Sequence, residues 1–358
     1  MHMINTLYNH IGVDIMDAEF KRLRGLEFFG DLPSDRLESA ALLWDTRILE
    51  ENETLWWQGE PSVEIAFVTR GSLSVHIAEE EIAILGVGDL LGEASVFTKE
   101  DRTASITALE KTELLLLSTS HLETLRSSHP DMYDRILNSS LNKMAQRVQQ
   151  MGKEIAKLAI GDSARPMRKE ESALKKFWKK LTGSGNKTPP NLTSILRKLP
   201  KLRSASKEVL QQIIDASTPH FVEMTNPIFL EGEQGDSVFI LAEGCIDVKR
   251  NIMGGKSETL ATLYPGALFG TGSLLLSERR NAACVASEQT DVWIFEFDRN
   301  AHNKLSGESG RLWRESLIAA LSFQLRNADD RLVALKLGGS PTISDFDKIR
   351  GALEGYQG

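Results

Sequence analysis

Two side chains in the stretch Leu91–Ala108, LGEASVFTKEDRTASITA, carry the chemistry worth explaining. Glu93 stands directly after Gly92, and Arg102 follows nine residues later at the head of Arg102-Thr103-Ala104-Ser105-Ile106. A strand ending DLLGE that turns into a short helix ASVFT leaves backbone N–H groups without intrahelical acceptors, and such groups favour an anion. Gly92 lets the backbone come close to a ligand. Arg102, expected to open the next strand, can return over the turn and offer its guanidinium to the same anion. Glu93 would repel a lone phosphate. It fits a ligand that carries a hydroxyl donor beside its phosphate, as a ribose does.

Nothing in the chain points to covalent chemistry. There is no nucleophile elbow, no P-loop and no zinc-ligand spacing, so we expect no catalytic residues and no bound metal. The seven histidines (His2, His10, His76, His121, His129, His220 and His302) are scattered singly and read as surface or packing residues. Cys245 and Cys284 are too few for a disulfide scaffold, which predicts a reduced, cytoplasmic setting. No run of about 18 apolar residues would span a bilayer, and the first residues lack the pattern of a signal peptide.

The elements that must position Glu93 and Arg102 occur twice. A shift of 178 positions sets Leu85–Leu117 on Leu263–Phe295, with identical residue types at Gly88, Leu90, Gly92, Ser95, Glu100, Arg102, Ala104 and Ala108, among others. Upstream, a shift of 173 sets Trp56–Ile77 on Phe229–Arg250. The five-residue difference falls in the hairpin NIMGGKSE, where length changes belong. Two copies of one domain explain this pattern.

Each copy opens with a short amphipathic helix, continues as short β-rich segments punctuated by glycine, and closes with a longer helix. Gly71 and Gly244 sit between such segments, as tight turns require. This order predicts an α+β, mainly β chain of two antiparallel jelly-roll-like barrels, each flanked by N- and C-terminal helices. We place an N-terminal segment at 1–22, the first domain at 23–135, a long heptad helix at 136–160, a basic linker at 161–194, the second domain at 195–310, a closing helix at 311–337 and a tail at 338–358.

At the quoted residues the chain resembles the cyclic nucleotide-binding superfamily of the cyclic AMP receptor proteins and kinase regulatory subunits. Its phosphate-binding cassette reads Gly-Glu, a short helix, then Arg-x-Ala-Ser/Thr-Val/Ile. The resemblance implies that Glu93 accepts from a ribose 2′-hydroxyl and that Arg102 pairs with the cyclic phosphate. Gly92, Ala94, Ser95, Thr103, Ala104 and Ser105 would complete the pocket. Thr103 suits either cyclic AMP or cyclic GMP, and family frequency leans slightly to cyclic AMP.

The second cassette comprises Gly270, Thr271, Gly272, Ser273, Arg280, Asn281, Ala282 and Ala283. Thr271 replaces the acid and Ala283 takes the place of Ser105. Losing a charged acceptor worth about 1.5–3 kcal/mol weakens binding roughly ten- to a hundredfold, which predicts a degenerate site or one for another ligand. Arg279-Arg280-Asn281-Ala282-Ala283 could also pass for a basic pseudosubstrate, but Arg280 already has its place in the cassette.

A sensor needs an output. Leu137, Leu141, Met144, Val148, Met151, Ile155 and Leu158 follow the a/d spacing of a heptad seam, which predicts a homodimer contact through 137–158. From Arg165 to Arg203, twelve Lys/Arg stand against two acids. Residues 173–181, with Phe177 and Trp178 between lysine pairs, suit an anionic membrane surface or an acidic partner. The net charge of −8 argues against sequence-specific DNA binding. These features predict a non-enzymatic sensor acting on a separate, unidentified protein partner. The competing reading is a structural scaffold whose barrels no longer bind nucleotide.

Overall fold

Strand β3 (Glu64–Arg70) shows why the chain folds into covered barrels. Ala66 and Val68 point inward to a core shared with Leu49, Leu55, Trp56, Leu73, Leu91, Ile106 and Leu114. Ile65 and Phe67 point outward, yet both are fully buried. A strand buried on both faces needs a second layer. Trp44 supplies part of it, packing edge-on against Phe67 at 5.4 Å and against Phe29 at 6.1 Å.

The computed structural model describes residues 21–26, 29–77, 79–159, 188–251 and 257–336. Contacts divide the chain into two units, Met1–Met144 and Ala145–Gly358. In the first unit, α1 (Ser34–Ala41) precedes β1 (Asp45–Leu49), β2 (Thr54–Trp56), β3, β4 (Leu73–Ile77), β5 (Glu80–Leu85) and β6 (Leu90–Leu91). Then come α2 (Glu93–Thr98), β7 (Ser105–Ala108), β8 (Thr112–Ser118), α3 (Thr119–Ser128) and α4 (Pro130–Ala159). Two four-stranded antiparallel sheets, β1-β8-β3-β6 and β2-β7-β4-β5, enclose the core.

The second unit repeats this plan. Helix α5 (Leu192–Leu196), a 3-10 turn at Pro200–Leu202 and α6 (Lys207–Asp215) lead into β9 (Thr218–Val222), β10 (Pro227–Phe229), β11 (Ser237–Glu243), β12 (Ile246–Asn251), β13 (Ser257–Leu263) and β14 (Leu268–Phe269). Helix α7 (Thr271–Leu276), β15 (Ala283–Ala286), β16 (Val292–Asp298), α8 (Arg299–Lys304) and α9 (Gly307–Lys336) complete it. Its sheets are β14-β11-β16-β9 and β10-β15-β12-β13. Even the bulges recur: β3 slips against β8 between Val68 and Arg70, and β11 slips against β16 between Leu241 and Glu243.

The structure revises two details. The gapless 178-residue frame fails at the last strand, because Glu64 faces Ser118 whereas Ser237 faces Asp298. Two extra residues therefore lie in the turn before β16. Helix α4 begins at Pro130 rather than 136, and α9 at Gly307 rather than 311. Along the heptad stripe Leu137, Leu141, Met144, Met151 and Ile155 are buried and Val148 is half-buried. The basic stretch 173–181 and the tail 338–358 lie outside the described residues. Among the described residues, no helix is long and apolar enough to cross a membrane.

Candidate functional site

Gly92 links β6 to α2 with φ at 81°, in the left-handed region that favours glycine. The turn sends Glu93, the first residue of α2, into the interior, where it is fully buried. Arg102 does not open β7, as expected; it lies in the loop three residues before that strand's first residue. Its backbone N–H donates to the Glu60 carbonyl and its carbonyl accepts from Gly59, both at 2.8 Å. Gln58 N–H donates to Ser105 Oγ at 2.9 Å. The β2–β3 turn is thus zipped to the Arg102–Ser105 loop, which fixes where the arginine starts.

From that anchor the side chain reaches back to Gly92, whose Cα leaves no room for a Cβ beside Arg102 Nη1. Arg102 is 4% exposed. Its Nη2 donates to the Glu64 carbonyl at 2.7 Å, and its Cζ lies 3.4 Å from the Trp56 ring centroid. Trp56 in turn donates from Nε1 to Glu64 Oε1 at 3.0 Å. Nε and Nη1 of Arg102 are buried and meet no hydrogen-bond acceptor among the described residues. Burial lowers the arginine's pKa to about 10, opposed by the charges of Glu64, Glu93 and Glu60, so it remains a cation at neutral pH.

The structure therefore brings Gly92, Glu93 and Arg102 together. Ser95 is buried, Ala94, Thr103, Ala104 and Ser105 are half-buried beside them, and Ala104 packs on the barrel core. Trp56 and Glu64 escaped the sequence reading. Trp56 reads as one more core residue of a short strand, and the Glu64 atom that holds Arg102 is a backbone carbonyl, which no side-chain pattern marks.

The second barrel builds the same turn with different contacts. Gly270 has φ at 82°, and Thr271 and Ser273 are buried. Gly272 and Ala282 are half-buried, Asn281 is exposed and Ala283 is buried. Arg280 donates from Nη1 to the carbonyls of Ser237 at 2.9 Å and Gly270 at 2.8 Å. Its Cζ lies 4.2 Å from the Phe229 ring and 5.5 Å from Phe239. Burial takes its pKa to about 10 as well. Among the described residues there is no cluster of three or more His, Cys, Asp or Glu side chains that could hold a metal.

The family model of the cyclic nucleotide-binding domain matches residues 46–129 and 220–306, the two barrels with their flanking turns. Each barrel is a cyclic nucleotide-binding domain. Over 104 residues the chain is 42% identical to the cyclic AMP receptor protein of Thermus thermophilus, covering 29% of this chain and 46% of that protein. It is 30% identical over 132 residues to cGMP-dependent protein kinase 2 of Mus musculus, covering 36% of this chain and 17% of the kinase, within its regulatory part. The chain thus spans less than half the length of the curated relatives it matches first. The regulatory domain of Toxoplasma gondii PKA with cAMP aligns over 83% of this chain and 94% of its own, at 17% identity and a TM-score of 0.30. What the curated relatives share with this chain is the cyclic nucleotide-binding domain, present here in tandem.

Proposed function

We propose that the first domain senses a cyclic purine mononucleotide, cyclic AMP ahead of cyclic GMP, and relays its occupancy along α4 to a protein partner without catalysing a reaction. The observation that carries this reading is the pair of buried Arg102 donors, Nε and Nη1, which no protein acceptor meets. A buried donor left unbonded costs about 1–3 kcal/mol. The oxygens of a cyclic phosphate would supply both acceptors. Glu93 is fully buried and near enough for its charge to oppose the fall in the arginine's pKa, the placement a ribose 2′-hydroxyl needs. Ala94, Ser95, Thr103 and Ala104 stand in the same cassette, Ser95 buried and the others half-buried, and Ser105 Oγ accepts from the Gln58 N–H. The Thermus relative, named for cyclic AMP, is more similar than the kinase named for cyclic GMP, which supports the order of the two ligands.

Two contacts support a relay. Phe97 of α2 packs edge-on against Tyr133 of α4 with ring centroids 6.4 Å apart. Asp89, just before β6, accepts from Lys143 of α4 at 2.7 Å. A ligand that shifts α2 or β6 would therefore shift α4. In the second domain, Thr271 replaces the acid and Arg280 Nη1 already has two carbonyl partners. That favours a structural role there.

Calorimetric titration of the purified chain with cyclic AMP and cyclic GMP tests the reading. Saturable binding is expected, and Arg102→Ala should weaken it at least a hundredfold, since bonds to a charged group contribute about 1.5–3 kcal/mol each. Absence of binding by the unmutated chain would leave the scaffold reading in its place.

A further inference from the structure

Trp56 has contacts that a core-filling residue does not need. Its indole face lies 3.4 Å from Arg102 Cζ, and its Nε1 donates to Glu64 Oε1, the side chain of the same residue whose carbonyl takes Arg102 Nη2. Trp56, Glu64 and Arg102 thus close a ring of three contacts. Across the barrel Ala66 leaves room for the indole; the matching position of the second domain carries Phe239.

The second domain lacks this ring. Phe229 replaces Trp56 and Ser237 replaces Glu64, so no indole N–H ties the two strands together. Arg280 Nη1 there bonds to the Gly270 carbonyl of its own cassette, whereas Arg102 Nη1 makes no such bond.

We propose that Trp56 is a positioning residue of the first domain's nucleotide site. Its face holds the Arg102 guanidinium flat, and its N–H fixes Glu64, so that Nε and Nη1 stay available to the ligand's phosphate instead of turning to the cassette's own carbonyl. This inference rests on the reading of that domain as a cyclic nucleotide sensor.

The test compares Trp56→Leu, which keeps apolar bulk, with Trp56→Phe, which keeps an aromatic face, in calorimetric titrations of the full chain with cyclic AMP. A desolvated cation–π contact is worth about 2 kcal/mol, so Trp56→Leu should bind about thirtyfold more weakly. Trp56→Phe should recover all but about threefold of the affinity, a rescue that mere core filling would not produce. Tryptophan emission provides a second readout, with the exposed Trp57 as control. Adding cyclic AMP should change emission in the unmutated chain and in Trp57→Phe, but not in Trp56→Phe. Undiminished affinity of a folded Trp56→Leu, or a full emission change surviving in Trp56→Phe, overturns the inference and leaves the sensor reading standing. No binding to the unmutated chain removes both.

Discussion

A methyl group at Gly92 would have no place to go. The residue's φ is 81°, and an added Cβ would run into Arg102 Nη1, lie 2.9 Å from Trp56 Cη2 and 3.1 Å from the Glu64 carbonyl. Backbone strain of this kind costs about 1–3 kcal/mol. The clash, moreover, falls on the guanidinium that the site depends on. Gly92→Ala should therefore lower stability by that amount in chemical denaturation and weaken cyclic nucleotide binding at least tenfold in calorimetry. Gly272 makes the contrast: it lies within α7, has no positive φ, and a Cβ there would meet nothing within 4 Å. Gly272→Ala should be neutral or stabilising by about 0.4–1 kcal/mol. Full nucleotide affinity in Gly92→Ala would show that the pose of Arg102 over this turn does not matter to binding.

Elements of the second domain are held by a different polar device. His302 of α8 is buried and accepts through Nδ1 from Trp313 Nε1 of α9 at 3.2 Å, while Trp313 packs on Phe297 of β16 with centroids 4.2 Å apart. Burial, aided by Arg314 and Arg299, lowers the imidazole's pKa from 6.5 to about 4. Between those values the unfolded chain binds a proton that the folded chain refuses. Stability should therefore fall as pH drops from 6.5 to about 4 and level off below, by about 3 kcal/mol at most. Urea unfolding followed at several pH values across that window reads the slope. His302→Gln should flatten it, at the cost of some stability throughout. Neither half of this clamp was legible in sequence, because a lone histidine on a short helix gives no sign of the tryptophan that will meet it eleven residues later. The cassette was legible for the opposite reason. Glycine, acid and arginine sit within one continuous stretch, and local spacing alone carries them to the same turn. Trp56 and Glu64 belong to strands far from Arg102 in sequence, and only closure of the barrel brings them beside it.

At the scale of the whole molecule, duplication has kept the scaffold and let the chemistry diverge. The two cores match position by position from Leu49 and Val222 to Ala108 and Ala286. The repeat was readable because barrel strands, turns and bulges constrain residue type at fixed intervals. Its one misread stretch, the turn before β16, was hidden by coincidence: Glu110 and Thr112 meet Glu288 and Thr290 in the gapless frame, while the strand pairing places two further residues there. What diverged is the supply of donors and acceptors at the cassette. The first domain offers Glu93 and two unbonded donors on Arg102; the second offers Thr271 and an arginine with one, Nε, because its Nη1 is already bonded to Ser237 and Gly270. A charged acceptor and a free donor each contribute more than the neutral contacts that replace them. The full chain should accordingly bind one cyclic nucleotide, not two, in calorimetric titration. Arg280→Ala should destabilise the second domain by leaving two carbonyls unbonded, yet keep the stoichiometry at one and the affinity within about threefold, a change of under 1 kcal/mol. Two equivalents per chain, with one lost in Arg280→Ala, would show that a threonine at the head of the cassette suffices and that the acid of the first domain is dispensable.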